Sequence, residues 1–244
     1  MSEVASRPRR PALPVGAVVL AAVFVASLAT AQLTASKVLQ FGVPFGASVP
    51  LAGDQLALPG AALAYALTFL ASDCYTELYG RRAAQVLVNV AFAINFLVLA
   101  LVWSTILAPA APSSIDPAAF ATVLGASTNI VAGSLLAYLV SQNYDVVVFE
   151  RLREATAGDH LWLRNIASTG TSQLLDTVVF VGVAFWVFPQ HLGLGPQLPT
   201  AAVVSLMVGQ YLLKLLIALL DTPFVYLITG AVRRTEAPRG VAPR

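Results

Sequence analysis

Asp176 and Lys214 are the residues of this 244-residue chain whose types and places most need a chemical explanation. Asp176 lies inside the apolar stretch 163–189, twelve residues beyond Arg164, which is about 18 Å along a helix at ~1.5 Å per residue. Lys214 is equally deep in the apolar stretch 199–231, with Asp221 two turns further on. Further ionisable groups stand nearer the ends of such stretches: Lys37, Asp73, Glu77 and Asp145. A charge placed mid-bilayer costs roughly 2.5–3.5 kcal/mol on insertion scales, so charged groups at that depth face a bundle interior and serve function.

Helical spacing gathers these residues onto faces. Asp73 and Glu77 are four apart, and Gln142, Asp145 and Phe149 are three and then four apart. Asn165, Ser168, Ser172 and Asp176 fall at i, i+3, i+7 and i+11, flanked by Thr169 and Gln173. Gln210, Lys214 and Asp221 repeat the device at i, i+4 and i+11, and Thr30, Thr34 and Lys37 form a milder version. The hydroxyl residues of these stripes serve equally well as interhelical hydrogen-bonding glue. Asp73 and Glu77 could simply pair with Arg81 and Arg82. Asp176 and Lys214 are too deep for snorkelling to relieve them.

The elements that must position these stripes follow from composition. Hydrophobic residues make up 58% of the chain and charged ones only 11%, where a water-soluble domain carries about a quarter charged. Apolar stretches at 14–38, 59–78, 84–109, 118–149, 163–189 and 199–231 each reach the ~20 residues that cross a hydrocarbon core. The expected fold is an all-α integral membrane protein of six transmembrane helices. It divides into a basic tail 1–13, a membrane domain 14–232 and a basic tail 233–244. Three spans per half is compatible with a 3+3 inverted repeat.

The arginines provide an independent check, because cytoplasmic loops collect Lys and Arg. Arg7, Arg9 and Arg10 precede the first span, Arg81 and Arg82 follow the second, and Arg151, Arg153 and Arg164 lie between the fourth and fifth. Arg233, Arg234, Arg239 and Arg244 follow the sixth, whereas 41–58, 110–117 and 190–198 contain no Lys or Arg. Alternating spans put all of them on one side, so both termini are expected in the cytoplasm and the protein in the plasma membrane. Ala29-Thr30-Ala31 resembles a signal cleavage site, but the apolar run continues past it and is read as a span. Segment 41–58, broken by Gly and Pro, is either an external hairpin or a re-entrant piece.

Several function classes drop out. A net charge of +2 does not suit a general nucleic-acid binder, and one cysteine and two histidines without patterned carboxylates leave no metal or cofactor site. No G-x-x-x-x-G-K-[ST] occurs, so ATP is not hydrolysed through a Walker site of this chain. A transporter of a small polar solute, working around a midplane site, is the first reading. A substrate-binding component that borrows an external ATPase is the alternative. An intramembrane aspartyl protease is weaker: Tyr144-Asp145 and Asp176 mimic paired aspartates, but Gln173, Leu174 and Leu175 stand where Gly-x-Gly is wanted. Small-residue runs at Gly125-Ala126-Ser127 and Gly133-Ser134 permit close helix approach, within the chain or in a homo-oligomer.

Three segments carry a family resemblance. Ser72-Asp73-Cys74-Tyr75-Thr76-Glu77-Leu78-Tyr79-Gly80 resembles the D-x3-E-x-Y-G signature of the queuosine precursor transporter family, also called the vitamin-uptake-transporter-like family. Gln142 to Arg153 is similar to its Q-x2-D-x3-F-x-R-L-R segment, and Arg164-Asn165 through Ser168-Thr169, Asp176-Thr177 and Phe180 to its R-N-x-x-S-T…D-T…F stretch. Lys214 falls where that family has a lysine, while Gln32 stands where many members carry Asn. The resemblance implies uptake of a 7-deazaguanine base, of the 7-cyano or 7-aminomethyl kind. A guanine edge offers parallel N–H donors to a carboxylate and an O6 acceptor to an amide or ammonium. Asp73, Glu77, Asp145 and Asp176 are the candidates for the first duty; Gln142, Asn165, Gln173, Lys37 and Lys214 for the second. Tyr75, Tyr144 or Phe149 would stack on the ring. The expected arrangement pairs Asp176 with Lys214 or Lys37 at the midplane and places Asp73 and Asp145, with the nearby arginines, at a cytoplasmic gate.

Overall fold

A computed structural model describes residues 14–43, 45, 47–156 and 161–236, except for the side chains of 161–165 and 236. The tail 1–13 and most of 233–244 lie outside the described residues. Helix α1 (Val15–Thr34) leads through a turn into strands β1 (Val38–Gly42) and β2 (Gln55–Pro59). Helices α2 (Ala62–Tyr79), α3 (Arg81–Leu107), α4 (Pro117–Gly125), α5 (Ser127–Ala155), α6 (Leu161–Gly182) and α7 (Thr200–Glu236) follow. Five helical stretches are long and apolar enough to cross a membrane: Val15–Thr34, Arg81–Leu107, Pro117–Ala155, Ile166–Leu192 and Thr200–Thr235. The sixth expected span, α2, has 18 residues and carries Asp73 and Glu77, which keeps it out of that set. The chain is a multi-pass helical membrane protein in which large apolar side chains such as Leu63, Leu101, Leu219 and Tyr226 point outward.

Two expected spans are subdivided. The fourth is α4 followed by α5, with Asp116 capping α4 by accepting the backbone N–H groups of Ala118 and Ala119. The fifth continues beyond Gly182 as a ten-residue π-helical segment, Val183–Leu192, which contains Pro189 and ends at Gly193 with φ +65°. Segment 41–58 adds the molecule's β structure: β1 and β2 pair antiparallel, Val38 with Pro59 through Gly42 with Gln55. This hairpin is pressed into the bundle. The Ala57 N–H donates to Ser205 Oγ at 3.2 Å, and a Cβ on Gly209 would overlap the Ala57 carbonyl oxygen. Gly209 therefore lets strand and α7 backbones touch, and Ala57 and Ala61 join a core that includes Ala31, Ile130, Phe180 and Leu206.

Interhelical hydrogen bonds establish the directions. Trp103 donates to Thr128 Oγ1 at 2.9 Å, while Gln85 donates to Tyr138 Oη at 3.3 Å, so α3 and α5 run antiparallel. Ser141 with Asp176 and Ser172 with Asp145 show the same for α5 and α6. Gly80, with φ +86°, makes the tight turn from α2 into α3, and that conformation explains the glycine that ends the D-x3-E-x-Y-G motif. Arg233 reaches Glu77 at 2.7 Å, bringing the ends of α2 and α7 together. Arg81, Arg82, Arg151, Arg153, Arg233 and Arg234 thus share one end of the bundle, and the hairpin closes the other. Gly133 is used within the chain, where a Cβ would come within 3.0 Å of the Ala184 Cβ.

Candidate functional site

Six helices enclose a central cavity of about 250 Å³ beneath the hairpin. Each contributes at least one side chain: Gln32 from α1, Tyr65 from α2, Phe92 from α3, Ser141 from α5, Asp176 from α6 and Lys214 from α7. At its centre the Lys214 ammonium donates to Asp176 Oδ2 at 2.5 Å, and Ser141 Oγ donates to Asp176 Oδ1 at 3.3 Å. Both charges are largely withdrawn from solvent, with side chains 11% and 25% exposed. A pair in such surroundings neutralises itself and keeps lone pairs on the carboxylate for a further donor.

Two amides in the cavity wall lack partners. Gln32 is 1% exposed and neither its Nε2 nor its Oε1 has a hydrogen bond; Gln210 is 6% exposed and its Oε1 has none. A buried amide group left unpaired costs about 1–3 kcal/mol, so its retention needs a reason. Both residues line the cavity, so a turn of the side chain would bring an N–H donor and carbonyl acceptors to a flat polar ligand. The walls suit such a ligand, because Tyr65 and Phe180 meet edge to face at 6.5 Å and Phe92 and Tyr138 lie tilted at 4.9 Å.

The structure sorts the sequence candidates. Asp176, Lys214, Gln142 and Gln173 line the central cavity. Asp145 lies one turn below on the α5–α6 seam and accepts from Ser172 Oγ at 3.1 Å. The two seam aspartates therefore occupy successive rungs instead of sharing one site, an arrangement unlike a paired-aspartate protease centre. Lys37 is not brought to the cavity: it is exposed where α1 gives way to β1, because the helix ends at Thr34 and its polar stripe ends with it. Glu77 pairs with Arg233 instead of Arg81 or Arg82, since α7 continues past the expected membrane boundary to Glu236. Asn165 lies outside the described side chains. Tyr75 packs on Tyr79, and Tyr144 is 39% exposed on the outer surface, so the cavity's rings come from other positions.

Asp73 lies in a separate cleft of about 420 Å³, with Asp221, Phe69, Gln173 and Lys214 among its walls. The cleft shares Phe69, Gln173 and Lys214 with the central cavity. It shares Asp73, Ala218 and Asp221 with an outer pocket at the arginine-rich end. Tyr65, Ser141 and the facing of Gln32 were absent from the sequence reading. A lone polar residue in an apolar run carries no periodic signal, although Gln32 was visible as a departure from the family pattern.

Residues 59–228 match the family described as "Putative vitamin uptake transporter". Over 163 residues the chain is 33% identical to a Bacillus subtilis (strain 168) protein named "Probable queuosine precursor transporter", covering 66% of this chain and 67% of that one. No solved structure matches. The family match takes in α2 through most of α7, and therefore every helix of the central cavity except α1. A chain of apolar helices around an ion pair and unpaired amides, matched over that length, belongs to the vitamin uptake transporter family.

Proposed function

We propose that the protein imports a 7-deazaguanine base, a precursor of queuosine or archaeosine, by alternating access around the central cavity. The observation that carries this reading is the donor and acceptor set held there: the Asp176–Lys214 pair beside the unpaired amides of Gln32 and Gln210. Asp176 accepts the paired N–H donors of the guanine edge. Lys214 and the glutamine amides, Gln142 and Gln173 included, meet its carbonyl and ring nitrogens. Tyr65, Phe92, Tyr138 and Phe180 hold the ring faces. Small-molecule pockets typically run ~300–1,000 Å³ for drug-sized ligands, and about 250 Å³ suits one bicyclic base.

The relative's name supports the choice of base. Six spans, α2 included, and a cytoplasmic arginine-rich end fit the one-sided arginines. In this reading the exposed Glu77–Arg233 bridge belongs to the inner gate, and the hairpin pressed onto α7 covers the outer mouth. Uptake of radiolabelled 7-cyano-7-deazaguanine by vesicles containing this chain alone tests the proposal, with adenine, guanine and biotin as competitors. Asp176→Asn and Lys214→Ala are expected to abolish binding and uptake. Unchanged binding in both variants would falsify the site. Uptake that needs a co-purified ATPase pair would identify a borrowed motor instead.

A further inference from the structure

Asp221 is the buried ionisable group that the central site leaves unused. It lies on α7 seven residues after Lys214, about 10 Å further along the helix. The residue is 8% exposed, its Oδ2 has no hydrogen-bond partner, and it lines both the cleft and the outer pocket. The same two spaces are lined by Asp73 from α2, so the two aspartates face one cleft and one outer pocket. Lys214 is the cation that shares the cleft with the pair among the described side chains. Lys214, in the cleft wall, is held by Asp176 at 2.5 Å, and Arg233 is held by Glu77 at 2.7 Å.

None of the remaining described side chains that line the two spaces carries a positive charge. Glu77 and Tyr226 share the outer pocket with the pair, and the buried thiol of Cys74 follows Asp73 in the chain. Helix α6 contributes Ile166, Thr169, Gly170 and Gln173 to the cleft, none of them ionisable. Helices α1 and α3, which also pack against α2, place no side chain in the cleft or the outer pocket. Two carboxylates facing one largely apolar cleft repel each other, and a proton held between them removes the repulsion. A sodium ion would need several further oxygen ligands at once; the cleft offers Thr169 and Gln173 from α6, and Phe69, Leu215, Ile217 and Ala218 form much of the rest of its wall.

We infer that Asp73 and Asp221 hold one proton between them, and that this proton travels inward with each substrate molecule. The inference rests on the transport reading above and adds the coupling ion to it. Loading takes the pair from two negative charges to one, and release at the arginine-rich end restores the second charge. The two sites are linked because α7 carries both Lys214 and Asp221. Pro223 follows Asp221 by two residues and cannot donate to the carbonyl of Leu219, which creates a natural bending point. A swing of α7 that frees Lys214 from Asp176 also parts Asp221 from Asp73.

The test uses the full chain in proteoliposomes with radiolabelled 7-cyano-7-deazaguanine, comparing counterflow with net uptake under an imposed pH gradient. Wild type is expected to accumulate substrate when the outside is acidic, up to about tenfold per pH unit for one proton carried, and to lose this with a protonophore. Asp221→Asn is expected to keep counterflow and lose the response to the gradient, and Asp73→Asn is expected to lose the response to the gradient as well. Should one variant fail to fold by size-exclusion, the other decides. Wild-type counterflow without a pH response, a sodium gradient driving uptake in place of protons, or gradient response retained in the folded variants would each overturn the inference while leaving the transport reading intact. Loss of counterflow in both folded variants would assign the pair to substrate binding and overturn it too. Absence of counterflow in wild type would instead defeat the transport reading itself.

Discussion

Asp176 and Asp221 stand on neighbouring helices of one bundle, and their surroundings treat them in opposite ways. Asp176 has an ammonium on one oxygen and a hydroxyl on the other, inside a cavity whose unmet valences are neutral amides. Asp221 shares its cleft with a second aspartate, Asp73, and has an oxygen with no partner. The first arrangement holds charge in place and leaves neutral hydrogen-bonding groups to read a ligand. The second holds charge out of balance, which suits a small mobile cation. A buried carboxylate is therefore informative through the group opposite it.

The largest effect should come from separating the compensated pair. Lys214→Ala leaves the Asp176 charge buried alone, and thermal unfolding in detergent should show a loss of about 3–5 kcal/mol together with loss of uptake. Converting both residues sharpens the contrast. Asp176→Leu with Lys214→Met should recover most of that stability, because a well-packed apolar pair replaces a buried ion pair at little cost, yet should bind no base. If the double variant bound substrate, the pair would be scaffold. A smaller effect separates recognition from folding at the amides: Gln32→Leu should keep or slightly raise the unfolding temperature while weakening base binding by up to about tenfold in a scintillation assay, the equivalent of one hydrogen bond. The smallest effect belongs to the exposed bridge at the bundle end, where Glu77→Gln should cost less than about 1 kcal/mol and leave equilibrium affinity for the base unchanged.

Much of this architecture is legible in the chain. The long apolar stretches become helices because a backbone in lipid must satisfy its own hydrogen bonds, and the described arginines Arg81, Arg82, Arg151, Arg153, Arg233 and Arg234 fall at one end because alternating spans return them there. The Asp176–Lys214 pair is legible too, since two opposite charges so deep in adjacent spans need each other. Lys37 misleads for the reason Lys214 does not: it lies just past a helix end, where an exposed turn supplies water. Glu77 meets Arg233 across 156 residues, a partner that local spacing could not indicate. The hairpin was open between two readings, and only the contact of Ala57 with Ser205 and Gly209 shows it pressed into the bundle.

Composition, charge placement and depth by themselves determined that this is a multi-span membrane protein with buried ionisable groups, because lipid makes every such group costly and therefore conspicuous. Which stripes meet was decided by the tertiary structure alone. Helical periodicity assigns a residue to a face of its own helix, but rotation and tilt relative to the neighbours come from packing. That packing placed Gln32 and Lys214 in the wall of one cavity and Asp73 and Asp221 in the wall of another.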